Sequence, residues 1–271
     1  MPNKKITPAL ARAQGIFYAL LRSPWPMGIS ELARSLDIGK STVHGLVHSL
    51  LSLGLLEKDP DSPRSFRPSD QLIQLWRQAL LEGDLRRAAR PLLQDFGWRH
   101  NLTALAGVFL QARVLIVEAV LAPGFSISAY PGQWVPAWAA ALGKLLLADL
   151  PDKPAQALAQ RMSAAGPLSK RQYLAEAARA KAWGVAVDRE EYIPGVRALA
   201  AAVPPASALE PLGAVWVVGL APALDEARLE LLGPELKALA EEVGRRMYKM
   251  EKEGLDAGSQ GTRHLPGHAA V

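Results

Sequence analysis

The chain has 271 residues, 49 % of them hydrophobic, and a formal net charge of +5. That length favours two domains over one, and the apolar fraction is sufficient for proper cores and argues against wholesale disorder. Cysteine is absent, which excludes a disulfide scaffold, thiol catalysis and thiolate metal sites, and fits a reducing cytoplasm.

The first residues, Met1 to Lys5, lead directly into a charged amphipathic segment and lack the apolar stretch of a signal peptide. A helix is expected from Pro8, with Thr7 as its cap and Leu10, Ala13, Phe17, Leu20 and Leu21 along one side. A short second helix follows, with Ser30 as N-cap and Leu32, Ala33 and Leu36 facing inward. After a turn at Asp37-Ile38-Gly39 comes a third helix. Val43, Leu46, Val47 and Leu50 share one of its sides, while Ser41, Gly45, His48 and Ser52 fall opposite and His44 lies on the flank. Two helices joined by a short turn holding a glycine, the second with a free polar face, form a helix-turn-helix pattern. Leu55 to Lys58 and Arg64 to Arg67, around a turn rich in Pro, Asp and Ser, then read as a β-hairpin wing. Residues 1–70 hold nine Lys/Arg against six acids, a local excess of +3. Such cations favour duplex DNA through counterion release, with a steep salt dependence. The candidate DNA contacts are Ser30, Lys40, Ser41, Thr42, His44, Gly45 and His48, with Lys58, Arg64 and Arg67 from the wing.

Residues 70–81 read as a helix with Leu72, Leu75, Trp76, Ala79 and Leu80 on one side, ended by Gly83. A second helical stretch at 84–98 carries Leu85, Ala88, Ala89, Leu92 and Phe96, and Pro91 is expected to kink it or start a new helix. This pair is expected to bridge two domains and to dock on a second copy of the chain. From 103 the period changes to two. Strands are expected at 103–110, 113–120 and 125–130, then a helix from Ala137 to Leu150 opened by Pro136. Helices follow at 154–163 and 169–183, the latter capped by Gly184. Strands at 184–188, 196–203 and 213–220 and a helix at 234–252 complete the pattern. No window of about 18 residues runs apolar without charge, so no membrane span is expected. The fold class is α+β. The expected partition is a winged helix-turn-helix at 1–69, a helical linker at 70–100, an antiparallel-sheet domain at 101–253 and a disordered tail at 254–271.

The chain resembles the IclR family of bacterial transcription regulators over about 7–250. The resemblance rests on Gly-Lys-Ser-Thr-Val-His at 39–44, Ala-Leu-Gly-Lys at 141–144, and Gly-Val-Ala-Val-Asp-Arg-Glu-Glu-Tyr at 184–192 running on to Gly195-Val196-Arg197. It implies a winged helix-turn-helix, a helical linker and an effector-binding domain resembling GAF or profilin-like sheets. It also implies a cytoplasmic homodimer or tetramer that binds operator DNA and represses or activates genes in response to a small molecule. By resemblance the effector pocket holds Phe125, Ile127, Ala141, Leu142, Asp188, Val196, Ala198, Trp216 and Val218. Relatives that take small hydroxy or keto acids place Ser or Cys at several of these sites; Ala198, Trp216 and Val218 stand here instead. Burying a polar ligand group without a partner costs roughly 1–3 kcal/mol, so the effector is expected to be apolar or aromatic.

Two departures concern DNA. Gly45 and His48 stand where such regulators commonly carry Arg, and Pro63-Arg64-Ser65-Phe66-Arg67-Pro68 replaces a glycine-centred wing turn. Affinity for a selected duplex is therefore expected to rise as pH falls from about 7.5 to about 6, the window in which an ordinary imidazole gains its proton. A flat profile shared by wild type and His48→Ala would remove that role.

Only five histidines are present, two of them on the third helix and two near the C-terminus, so neither a Ser-His-Asp triad nor a histidine metal cluster can be assembled. His100 reads as a structural residue at a helix end. Asp188, Glu190 and Glu191 come nearest to an acid–base set, which would need an opposed partner and a shaped cleft; alternation separates Asp188 from its neighbours, and a solvated turn is the expected reading. No enzyme activity, cofactor or metal is expected. The alternative is a metabolite-binding protein or enzyme that retains the winged helix as an interaction module; it would turn over a metabolite without DNA.

Overall fold

The computed structural model describes residues 7–111, 113–123, 129–139, 141–205 and 212–261. Its N-terminal unit packs α1 (Pro8–Arg22), α2 (Ile29–Leu36) and α3 (Lys40–Ser52) around Ile16, Leu20, Leu32, Val43 and Val47, all fully buried. Apolar residues three and four apart on each helix make this core possible, and its burial drives the helices together. The expected stripe of α1 is displaced. Residues 7–12 are all exposed, Leu10 to 66 %, and Ile16 rather than Leu10 enters the core, because only the later turns of α1 meet the other helices. Thr7 occupies the cap position without a side-chain hydrogen bond. Gly28, not Ser30, is the N-cap of α2; the Glu31 carboxylate, three residues on, accepts from the Gly28 N–H at 2.8 Å. That bond satisfies a donor the helix start would otherwise leave open.

The α2–α3 turn takes its left-handed residue at Asp37 (φ 52°), a side chain that tolerates this conformation. The wing is antiparallel β2 (Leu56–Lys58) and β3 (Ser65–Pro68), joined by a two-residue strand, β1 (Met27–Gly28), that the sequence pattern did not reveal; the order is β1-β3-β2. Ser69 then caps α4 (Asp70–Glu82), accepting from the Leu72 N–H and donating to the Gly54 carbonyl.

The second unit is one antiparallel sheet of order β6-β5-β4-β9-β8-β7, from β4 (Thr103–Leu110), β5 (Arg113–Val120), β6 (Trp134–Pro136), β7 (Ala186–Arg189), β8 (Val196–Val203) and β9 (Gly213–Leu220). Side chains alternate across it. Ala104, Ala106 and Val108 meet α5 (Asp84–His100) and α9 (Glu226–Gly261), while Leu105 and Phe109 meet α6 (Leu142–Asp149), α7 (Asp152–Ala165) and α8 (Lys170–Trp183). A sheet covered on both faces explains strands that read as nearly continuous apolar runs. None of the described helices is long and apolar enough to cross a membrane.

Three expectations change. Helix α5 is one helix across Pro91, and its stripe of Leu85, Ala88, Ala89, Leu93 and Phe96 is buried in the core of its own sheet instead of awaiting a second copy. That leaves α4, with Leu75 64 % exposed, as the connecting helix. Residues 134–136 form edge strand β6, Trp134 opposite Leu115 and Val135 opposite Val114, so the helix expected from 137 begins at Leu142. Proline suits that edge because it has no N–H to give the ladder. Helix α9 continues to Gly261, past the expected start of a disordered tail at 254; once nucleated, a helix gains a hydrogen bond per added residue. The expected strand at 125–130 falls mostly outside the described residues, and so do 262–271; Ala129 and Tyr130 lie outside any strand.

Candidate functional site

Two places gather the candidate residues. In the first, the exposed face of α3 adjoins a cleft of about 540 Å³ bordered by Ser30, His44, His48, Lys58 and Arg64. The helical period places His44 one turn before His48, and their rings lie 4.2 Å apart. Lys40, Ser41 and Gly45 extend the same exposed face toward the helix start, with Thr42 half-buried beside them. A Cβ built on Gly45 would meet no atom within 4 Å, so nothing inside the fold requires glycine there. Arg67 does not join the group. Alternation along β3 buries Phe66 and turns Arg67 to Glu57, which it pairs, with Asp70 at 3.7 Å. Glu31 lies in the cleft unforeseen; its spacing from the α2 start was the available signal.

The second place is a cavity of about 200 Å³ between the sheet and the start of α6. Of the expected positions, Leu142, Asp188, Val196, Ala198, Trp216 and Val218 line it. Ala141 is fully buried but does not line it, and Phe125 and Ile127 fall outside the described residues. Leu105, Ile116, Ala129, Gln133, Val135 and Ala139 were missed, together with Tyr192 and Ile193 from the loop after β7. Register was the missing information: Leu105 sits opposite Trp216 on β9, on the same face.

A buried set of charges closes one side of the cavity. Asp188 is 3 % exposed and its Oδ1 accepts N–H bonds from Glu191 at 2.8 Å and Tyr192 at 3.4 Å. Lys144, 2 % exposed, donates to the Val187 carbonyl at 2.5 Å and to Glu191 Oε1 at 2.7 Å. Glu191 Oε2 also accepts the Arg189 N–H at 2.5 Å. Burial, reinforced by the neighbouring Glu191 carboxylate, pushes the Asp188 carboxyl up to about 7. Burial acts upward on Glu191 as well, but hydrogen bonds from Asp188 and Lys144 prevail and hold it below the usual carboxylate range. Burial foremost pushes the nearby Tyr173 phenol up to about 12, so it stays neutral.

This arrangement can hold a small, mainly apolar molecule against one polar group. The described residues offer no nucleophile with an adjacent base there, and they contain no cluster of three or more metal-ligating side chains. His100 ends α5, packed on Phe96 and bonded to Glu235 at 2.9 Å, as a structural residue would be.

Residues 9–60 match the IclR helix-turn-helix domain, and residues 77–245 match the bacterial transcriptional regulator IclR C-terminal domain. The chain is 30 % identical over 217 residues to the glycerol operon regulatory protein of Streptomyces griseus, covering 78 % of this chain and 84 % of that one. It is 29 % identical over 243 residues to the protein of the same name from Streptomyces coelicolor, covering 88 % and 93 %. The fold is similar to that of the IclR protein of Thermotoga maritima, with a TM-score of 0.58 at 21 % identity, covering 88 % of this chain and 98 % of that one.

Proposed function

The chain belongs to the IclR family of transcriptional regulators, and from that premise we propose that α3 and the wing read an operator duplex while the cavity beside Trp216 senses a small apolar or aromatic metabolite. The observation that carries the first half is the polar, unobstructed face of α3, flanked by Lys58 and Arg64. A helix presenting such a face enters a major groove, and the flanking cations hold phosphates. The cavity carries the second half: mostly aliphatic side chains and one indole surround a buried carboxyl, with the Gln133 amide and the Tyr192 phenol as further polar groups, the mix of apolar walls and few polar groups that small-ligand sites use.

The working unit is a cytoplasmic homodimer or tetramer bound to a palindromic operator. Ligand would act by favouring one arrangement of α4 and hence one spacing of two reading heads, which requires unequal affinity for the two arrangements. Selecting bound sites from random DNA, then screening metabolites for release of the selected duplex, tests the whole scheme. Failure to prefer any duplex over competitor overturns the DNA half; release by no apolar or aromatic compound overturns the sensor half.

Gly45→Ala separates fold from function at the interface. Gly in a helix interior is about 1 kcal/mol less favourable than Ala, and a methyl here meets nothing in the fold. The variant is expected to melt at a higher temperature yet to bind the selected duplex more weakly, because the methyl stands between helix backbone and DNA. Unchanged or improved duplex affinity would remove Gly45 from the interface.

A further inference from the structure

The cavity contains one buried carboxyl, and two further ionisable groups stand behind it, the buried Lys144 from a helix and the half-buried Glu191 from the loop. We propose that Lys144 and Glu191 are positioning residues that set the charge Asp188 presents, so that the site takes uncharged ligands in preference to organic acids or amines. The proposal rests on the cavity being the effector site.

The geometry divides the labour. Both Glu191 oxygens are occupied, one by Lys144 Nζ at 2.7 Å and one by the Arg189 N–H at 2.5 Å. Lys144 gives a second bond to the Val187 carbonyl. The ammonium and the Glu191 carboxylate therefore neutralise each other, 3 % and 20 % exposed as side chains. Asp188 is left with Oδ1 holding two backbone N–H groups and, among the described residues, without an ion pair of its own. The other charged groups nearby are engaged elsewhere: Arg189 on Glu226 and Glu176, and Arg197 on Glu190 and Glu226. From α8 the neutral Tyr173 phenol lies near the cluster, and Glu176 stands beside Arg189.

Next to a carboxylate already matched to its lysine, a second buried negative charge is unfavourable, and Asp188 retains its proton until about pH 7. A neutral floor, with only the uncharged Gln133 amide and Tyr192 phenol among otherwise apolar walls, offers no opposite charge to offset the desolvation of an ionised ligand. Above that pH the floor becomes an anion that an ammonium group can match. Without the Glu191 charge, Lys144 would hold Asp188 ionised at lower pH too.

The test uses the full chain, calorimetry and three probes of one size: benzamide, benzoate and benzylamine, the last remaining protonated throughout. At about pH 6, wild type is expected to bind benzamide about tenfold or more tighter than either ion, a difference of about 1.4 kcal/mol. Benzylamine affinity should rise about tenfold by about pH 8 in wild type and stay level in Glu191→Gln. In parallel, the ¹³C carboxyl signal of Asp188, identified by its loss in Asp188→Asn, should titrate near pH 7 in wild type and at lower pH in Glu191→Gln, where burial still acts upward but the neighbouring carboxylate is gone. An Asp188 signal that titrates in the ordinary range in wild type overturns the proposal whether or not the variant folds. So does a pH response of benzylamine that is absent from wild type or unchanged in Glu191→Gln. If no probe binds although Asp188 titrates near pH 7, the cavity is not the effector site, and the proposal falls with the reading beneath it.

Discussion

Trp216→Ala is expected to destabilise the second unit by about 3–5 kcal/mol, the range for removing a large aromatic side chain from a core that cannot collapse around the gap. Trp216 is 3 % exposed in the middle of β9, with Leu105 and Ala200 as its cross-strand neighbours. Its ring lies over β4, where a Cβ added to Gly107 would stand 3.0 Å from the ring edge and 2.7 Å from the Leu115 carbonyl. Glycine at 107 thus makes room for the indole, at a position where the β4–β5 register shifts. Truncation would join the ring's volume to the existing cavity of about 200 Å³. Urea unfolding followed by circular dichroism measures the cost. Under conditions where the variant remains folded, duplex binding should persist and release by ligand should be lost. A cost under about 1 kcal/mol would mean that the ring is not packed as described.

Strands β4, β5, β8 and β9 were legible to the residue because burial on both faces imposes apolar runs between turns. The polar face of α3 was legible because a helical period divides one short segment cleanly. Where the sequence misled, the deciding contact lay outside the local pattern. Pro136 reads equally as a helix opening or the end of an edge strand, and pairing with β5 decides it. The stripe of α5 announces burial but not against what; its own sheet turned out to be the partner. Arg67 belongs by charge to a basic wing, yet strand alternation and Glu57 draw it aside. Lys144 stands in the Ala-Leu-Gly-Lys motif, but its meaning depends on Glu191, 47 residues further on. No periodicity reports which long side chains meet across such a distance.

Removing that lysine gives the other large effect. Lys144→Met is expected to cost about 3–5 kcal/mol near neutral pH, because it leaves Glu191 as a buried charge without a counter-ion. The pH dependence separates this cause from lost packing. In wild type Glu191 lies below its ordinary value of 4.5, so it contributes stability that is present above that value and lost as pH falls through the depressed one. Asp188, raised from 3.8 to about 7, acts oppositely, its contribution being full at low pH and lost as pH climbs toward 7. Without Lys144, burial dominates both carboxyls and both favour the protonated state, so the deficit relative to wild type should grow from about pH 5.5 to about pH 8.5. Lys144→Met combined with Glu191→Leu removes both charges, and the pair should recover most of the loss, since a buried ion pair is often worth little more than apolar residues of similar size. Coupling between the two substitutions, read from a double-mutant cycle of unfolding free energies, should therefore be about 2 kcal/mol or more. An equal deficit at both pH values, or a double variant no more stable than Lys144→Met alone, would show that Lys144 acts through shape and not through charge.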